Sequence, residues 1–178
     1  MKTALPAKFP VTILLVLLIG CASLPPADPA LSAIRHEEAM QQIGENKYPL
    51  AITTYAEAIR YNPQNSELYL QRAEIQEAIQ QFSEAAATYR MALKHLPSDN
   101  KDRVQIRYRL GLLEARLKEI RAAQKHVDKL TDAGQRKDLE GVIALNEGDA
   151  DTALILFSQA LQNTDDAEQR ARIYYHAS

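Results

Sequence analysis

Tryptophan is absent from this 178-residue chain, Phe occurs 3 times, Gly 6 times and Cys once. The single Cys21 excludes an internal disulfide and any Cys-based metal cluster. So few glycines beside 46% hydrophobic residues exclude a fibrous repeat and wholesale disorder. Neither sign of charge dominates: 21 Lys and Arg face 23 Asp and Glu, a net charge of −2, so no global field draws the chain to nucleic acid. All 8 prolines lie at or before Pro97, which leaves the last 81 residues without a proline break. With large aromatics scarce, Ala, Leu and Tyr must build the core. The length suits one moderate domain rather than two.

What is present begins with an address. Lys2 and Lys8 precede Val11–Ile19, a nine-residue run that is apolar but for Thr12. That is short of the about 20 residues a membrane-spanning helix needs, and it suits the core of a signal peptide. The run closes on Leu18-Ile19-Gly20-Cys21. This tetrapeptide resembles the bacterial lipobox. The resemblance implies cleavage before Cys21, a diacylglycerol thioether on its sulfur and an acylated new amine, as a nucleophilic thiol permits. It makes residues 1–20 a lipoprotein signal and Cys21 a membrane anchor. Ala22 stands where Asp would resemble an inner-membrane retention signal, so the implied address is the outer membrane, facing the periplasm. The alternative is a plain secretory signal with a chance Cys at its end. Residues 21–31 hold Pro25, Pro26 and Pro29 and read as an extended tether.

Residues 32–178 repeat. A shift of 34 residues lays Tyr48 on Phe82, Ala51 on Ala85, Tyr55 on Tyr89, Ala58 on Ala92 and Pro63 on Pro97. The period and residue types resemble the tetratricopeptide repeat, in which two antiparallel helices pack through small residues. Units span about Ser32–Asn65 and Ser66–Asp99, the first departing from the pattern at Arg35 and Glu38. Two degenerate units follow. One carries Leu110-Gly111, Ala123, Val127 and Leu130 and is closed by Gly134; the other carries Gly141, Gly148-Asp149, Ala153, Phe157 and Ala160. From Asp165 a final helical segment either caps the array or enters a further repeat. The expected architecture is all-α, an αα-superhelix of about four helix pairs plus a C-terminal helix. The aromatic stripe reads as core.

No phosphate loop, H-E-x-x-H, G-x-S-x-G or calcium loop occurs. His36, His95, His126 and His176 sit in separate regions and read as solvated surface. No catalytic residue, metal ligand or cofactor is indicated, and no nucleic acid or small-molecule substrate. In the resembled family the first helices line a concave face that grips peptides or partner domains. By register, the residues there are His36, Met40, Leu70, Glu74, Glu77, Tyr108, Leu112, Arg116, Asp138 and Val142. The Lys and Asn set with which chaperone-binding relatives hold a C-terminal carboxylate is missing, since His36, Met40 and Glu74 occupy comparable places. The expected function is a lipid-anchored adaptor holding a partner protein in the bacterial envelope. Assistance to an envelope machine such as a type IV pilus secretin, adaptation of peptidoglycan hydrolases, and an envelope enzyme with an unmotifed carboxylate site all remain open.

Overall fold

A computed structural model describes residues 27–178. The signal-like run, the lipobox-like tetrapeptide and Cys21 lie outside the described residues. Among those described, nine helices and no strands form. The first pair is α1 (Pro29–Gly44) and α2 (Tyr48–Tyr61), the second α3 (Ser66–Ala78) and α4 (Phe82–His95). Then come α5 (Arg103–Arg116) with α6 (Ile120–Val127), α7 (Ala133–Glu147) with α8 (Ala150–Gln162), and α9 (Ala167–His176). Each helix packs on its sequence neighbour, and α5 also meets α7, as does α9. None is long and apolar enough to cross a membrane.

The expected small residues let the helices close. Ala39, Ala51, Ala58, Ala73, Ala85, Ala92 and Ala123 are fully buried, as are Tyr55, Tyr69 and Tyr89. Arg35 and Glu38, the departures in the first repeat, bond to each other at 2.5 Å, and Arg35 reaches Glu57 of α2 at 3.3 Å. An ion pair replaces apolar contact at the exposed end of the array.

Two expectations need correction. Pro29 does not extend the tether; it opens α1, where its fixed φ suits the first turn and Asp28 Oδ1 accepts from the Leu31 amide at 3.0 Å. Nor does Gly134 close the third pair. It lies in the first turn of α7, behind the Asp132 cap, and a Cβ there would meet Gln169 Nε2 at 2.7 Å. Its smallness admits the Gln169 side chain of α9.

The turn inside each pair repeats one device. Asn46, Gln80, Lys118 and Gly148 all have positive φ, between 59° and 90°, and they succeed one another at the repeat spacing. Only the last is glycine, the residue that adopts this conformation without strain.

Glycines elsewhere mark close packing. At Gly141 a Cβ would lie 2.6 Å from Phe157 Cε1 in the core of the fourth pair, whereas Gly44 has open space. Gly141→Ala should therefore destabilise by about 1–3 kcal/mol of overpacking, less the helix-propensity gain. Gly44→Ala should instead stabilise by about 0.5–1 kcal/mol. Thermal melts of the two variants moving in the same direction would contradict this account.

Candidate interaction surface

The first helices of the pairs, α1, α3, α5 and α7, share the inner face with α9. A line of side-chain bonds ties them together. His36 Nε2 meets Gln71 Oε1 at 2.7 Å, and Tyr55 Oη donates to the same oxygen at 2.5 Å. Arg109 Nη2 donates to Glu74 Oε1 at 3.1 Å. Tyr108 Oη donates to Asp138 Oδ2, and His176 Nδ1 lies 2.9 Å from that same oxygen. The series joins α1 to α3, α3 to α5, α5 to α7, and α7 to α9.

Four of the expected surface residues are thus engaged within the fold. His36 and Glu74 keep part of their surface. Tyr108 and Asp138 are fully buried, which corrects their placement on the open face. The physical reason is the shortened step from the third repeat to the fourth, which brings α5 directly onto α7 and closes that part of the groove. Burial, reinforced by Asp138, pushes the Tyr108 phenol well above its ordinary pKa, so it remains a donor. Leu70 is half-buried and packs against the N-terminal core. The histidines also depart from expectation: His36, His126 and His176 are partnered rather than simply solvated.

Two concavities remain on the inner face. Met40, Ile43, Tyr48, Ile75 and Ala78 give one, of about 350 Å³, an apolar lining with Glu74 at its edge. The other, of about 380 Å³, lies between α5, α7 and α9. Phe82, Leu112, Leu113 and Val142 give it an apolar floor, and Arg109, Arg116, Lys118 and Arg172 stand around it. Of the expected residues, Met40 and Glu74 line the first cavity and Glu77, Leu112, Arg116 and Val142 the second. Burial raises the Glu77 carboxyl pKa against the opposing pull of its bond from Tyr89. The Arg116 guanidinium lies 4.0 Å over the Phe82 ring. Among the described residues no group of three His, Cys, Asp or Glu gathers as a metal site.

Sequence reading missed a second polar series, inside the pairs. Thr54 Oγ1 donates to Gln42 Oε1 at 2.9 Å, and Thr88 Oγ1 to Gln76 Oε1 at 2.7 Å, both buried. The equivalent positions in the third pair are Glu114 and His126, with Nε2 3.2 Å from Oε2 and Arg90 of α4 reaching the other oxygen at 2.9 Å. In the fourth pair they are Ala144 and Leu156. Burial alone would raise the Glu114 carboxyl pKa, but His126 and Arg90 together hold it below the usual range. The 34-residue shift that aligned the alanines also aligns Gln42 with Gln76 and Thr54 with Thr88, so the signal was available.

Alternating antiparallel pairs, small residues at the crossings and an open inner face define a superhelix of the tetratricopeptide-repeat type. Residues 36–100 match the tetratricopeptide repeat family profile. No curated protein matches the chain. Its fold is similar to that of a tetratricopeptide repeat protein from Parabacteroides merdae, with 19% identity and a TM-score of 0.64 over 84% of this chain. The similarity spans 60% of that protein's length. It is also similar to PilW, a widely conserved type IV pilus biogenesis factor, at 20% identity and TM-score 0.59, covering 84% of this chain and 71% of that one. YrrB, a repeat protein with an unusual peptide-binding site, gives 18% identity and TM-score 0.55, covering 80% and 72%.

Proposed function

We propose that this protein is a non-catalytic, lipid-anchored adaptor that holds a partner protein on its inner face at the bacterial outer membrane. The observation that carries the reading is the open inner face itself. It presents apolar floors rimmed by charge, the composition of a protein-binding surface. The envelope address rests on Leu18-Ile19-Gly20-Cys21 behind a basic flank and a nine-residue apolar run. Two or more acyl chains on Cys21 hold a protein on a bilayer where one chain binds only marginally. The likeness to PilW supports the partner being a component of an envelope machine such as a pilus secretin.

Two measurements test this in a bacterial host. Wild-type protein should sediment with membranes, and a Cys21→Ser form exported behind a cleavable plain secretory signal in place of residues 1–20 should appear in the soluble periplasmic fraction. Photo-crosslinkers placed at Leu112 or Val142 should capture a partner, and one at exposed Lys125 of α6 should not. Retention of that processed Cys21→Ser form on membranes contradicts the anchor. Capture from Lys125 alone contradicts the assignment of the inner face.

A further inference from the structure

The cavity between α5, α7 and α9 combines an apolar floor with positive charge of unequal availability. Arg109 is drawn to Glu74 at 3.1 Å and Glu77 at 3.9 Å, and Arg172 to Glu168 at 2.7 Å. Arg116 and Lys118 have no carboxylate partner among the described residues. Lys118 instead donates to the neutral Asn146 oxygen at 2.7 Å, and Arg116 lies over Phe82. Two cations are thus held beside Leu112 and Val142 in a molecule of net charge −2.

We infer that this cavity takes an acidic segment of the partner, with an apolar side chain seated on Leu112 and Val142 and carboxylates facing Arg116 and Lys118. The inference rests on the inner face being the partner site and names the chemistry it selects. The chain's own residues 1–26 carry Lys2 and Lys8 and no acid, so they have the wrong sign to occupy it. Nucleic acid is disfavoured because the Glu77 carboxylate lies in the same cavity and would oppose a continuous phosphate backbone. Carboxylates spaced along a peptide can avoid it. The inserted apolar residue supplies burial, and the rim cations supply selection and rate.

The probe is a fluorescein-labelled decapeptide with a central Leu flanked by Asp and Glu, titrated by anisotropy into the full-length protein in detergent. A second peptide carries Asn and Gln in place of the acids. The acidic peptide should bind at least about tenfold more tightly. Its addition should shift the Leu112 and Val142 methyl resonances. Lys118→Glu should cost about tenfold in affinity without changing the helical signal. The peptide comparison needs no variant, so misfolding cannot mimic the result. Equal binding of the two peptides overturns the inference. So does an oligothymidylate of matched charge that binds as tightly and depends equally on Lys118. Failure of the acidic peptide while crosslinks from Leu112 and Val142 still capture a partner removes the acidic selectivity alone. Failure of both removes the adaptor reading too.

Discussion

Replacing Asp138 by Ala should release α9 from the superhelix and cost about 3–5 kcal/mol. Asp138 is fully buried in α7 and is the common acceptor for Tyr108 of α5 and His176 of α9. Truncating it strands a buried phenol and a largely buried imidazole at once, each with a desolvation cost of about 1–3 kcal/mol. The other ties of α9 are the buried Ile173 and, in its first turn, Gln169 on Asp132 at 3.3 Å and Arg170 on the Leu161 carbonyl at 2.9 Å, so its C-terminal end depends on Asp138. Asp138→Asn should be milder, since an amide oxygen can still accept from Tyr108. Amide hydrogen exchange is the appropriate measurement. Protection should fall in Ala167–His176 well before it falls in the first two repeats, as expected for an array of locally stable units. Unchanged protection of α9 in Asp138→Ala would show that the three-residue cluster does not hold it.

The third repeat should be convertible to the chemistry of the first two. Glu114→Ala is expected to lose about 1–3 kcal/mol, because His126 loses its buried partner, whereas Arg90 is exposed and keeps its ion pair with Glu119. Glu114→Gln combined with His126→Thr rebuilds the Gln–Thr bond seen between Gln42 and Thr54, and between Gln76 and Thr88. The double variant should lie within about 1 kcal/mol of the parent and be more stable than the sum of its single changes predicts. Acid provides a second readout. The folded-state pKa of Glu114 is lowered, so its contribution is complete above the unfolded value of 4.5 and is lost as pH falls through the lower folded value. The stability gap between parent and Glu114→Gln should therefore narrow below that pH. A double variant no better than the summed singles would mean the shared positions are coincidental. A gap independent of pH would remove the charged carboxylate from the account.

Much of the fold was legible because a repeat prints its packing rules several times. Ala51 and Ala85, or Tyr55 and Tyr89, do the same work at the same spacing, and all four are fully buried. The inner face was less legible. Register places Tyr108 and Asp138 on first helices correctly, but it cannot say how closely α5 approaches α7. That approach depends on the short α6 (Ile120–Val127), which draws the next pair inward. Register places Arg116 on the inner face but does not say what it meets there. Its position over Phe82, beside Lys118 at a left-handed turn, arises from residues on different helices.

By itself the sequence determined the all-helical class, the pairing of helices and the small and aromatic positions at their crossings. These follow from local periodicity and from steric limits that any packed helix pair must meet. Tertiary structure alone decided which polar residues bind one another across the repeats, and so which were withdrawn from the surface. Hydrogen bonds and ion pairs need separations near 3 Å, and that precision is set by the summed rotations of successive pairs. The cavity with Arg116 and Lys118, which have no carboxylate partner among the described residues, is what those rotations leave open.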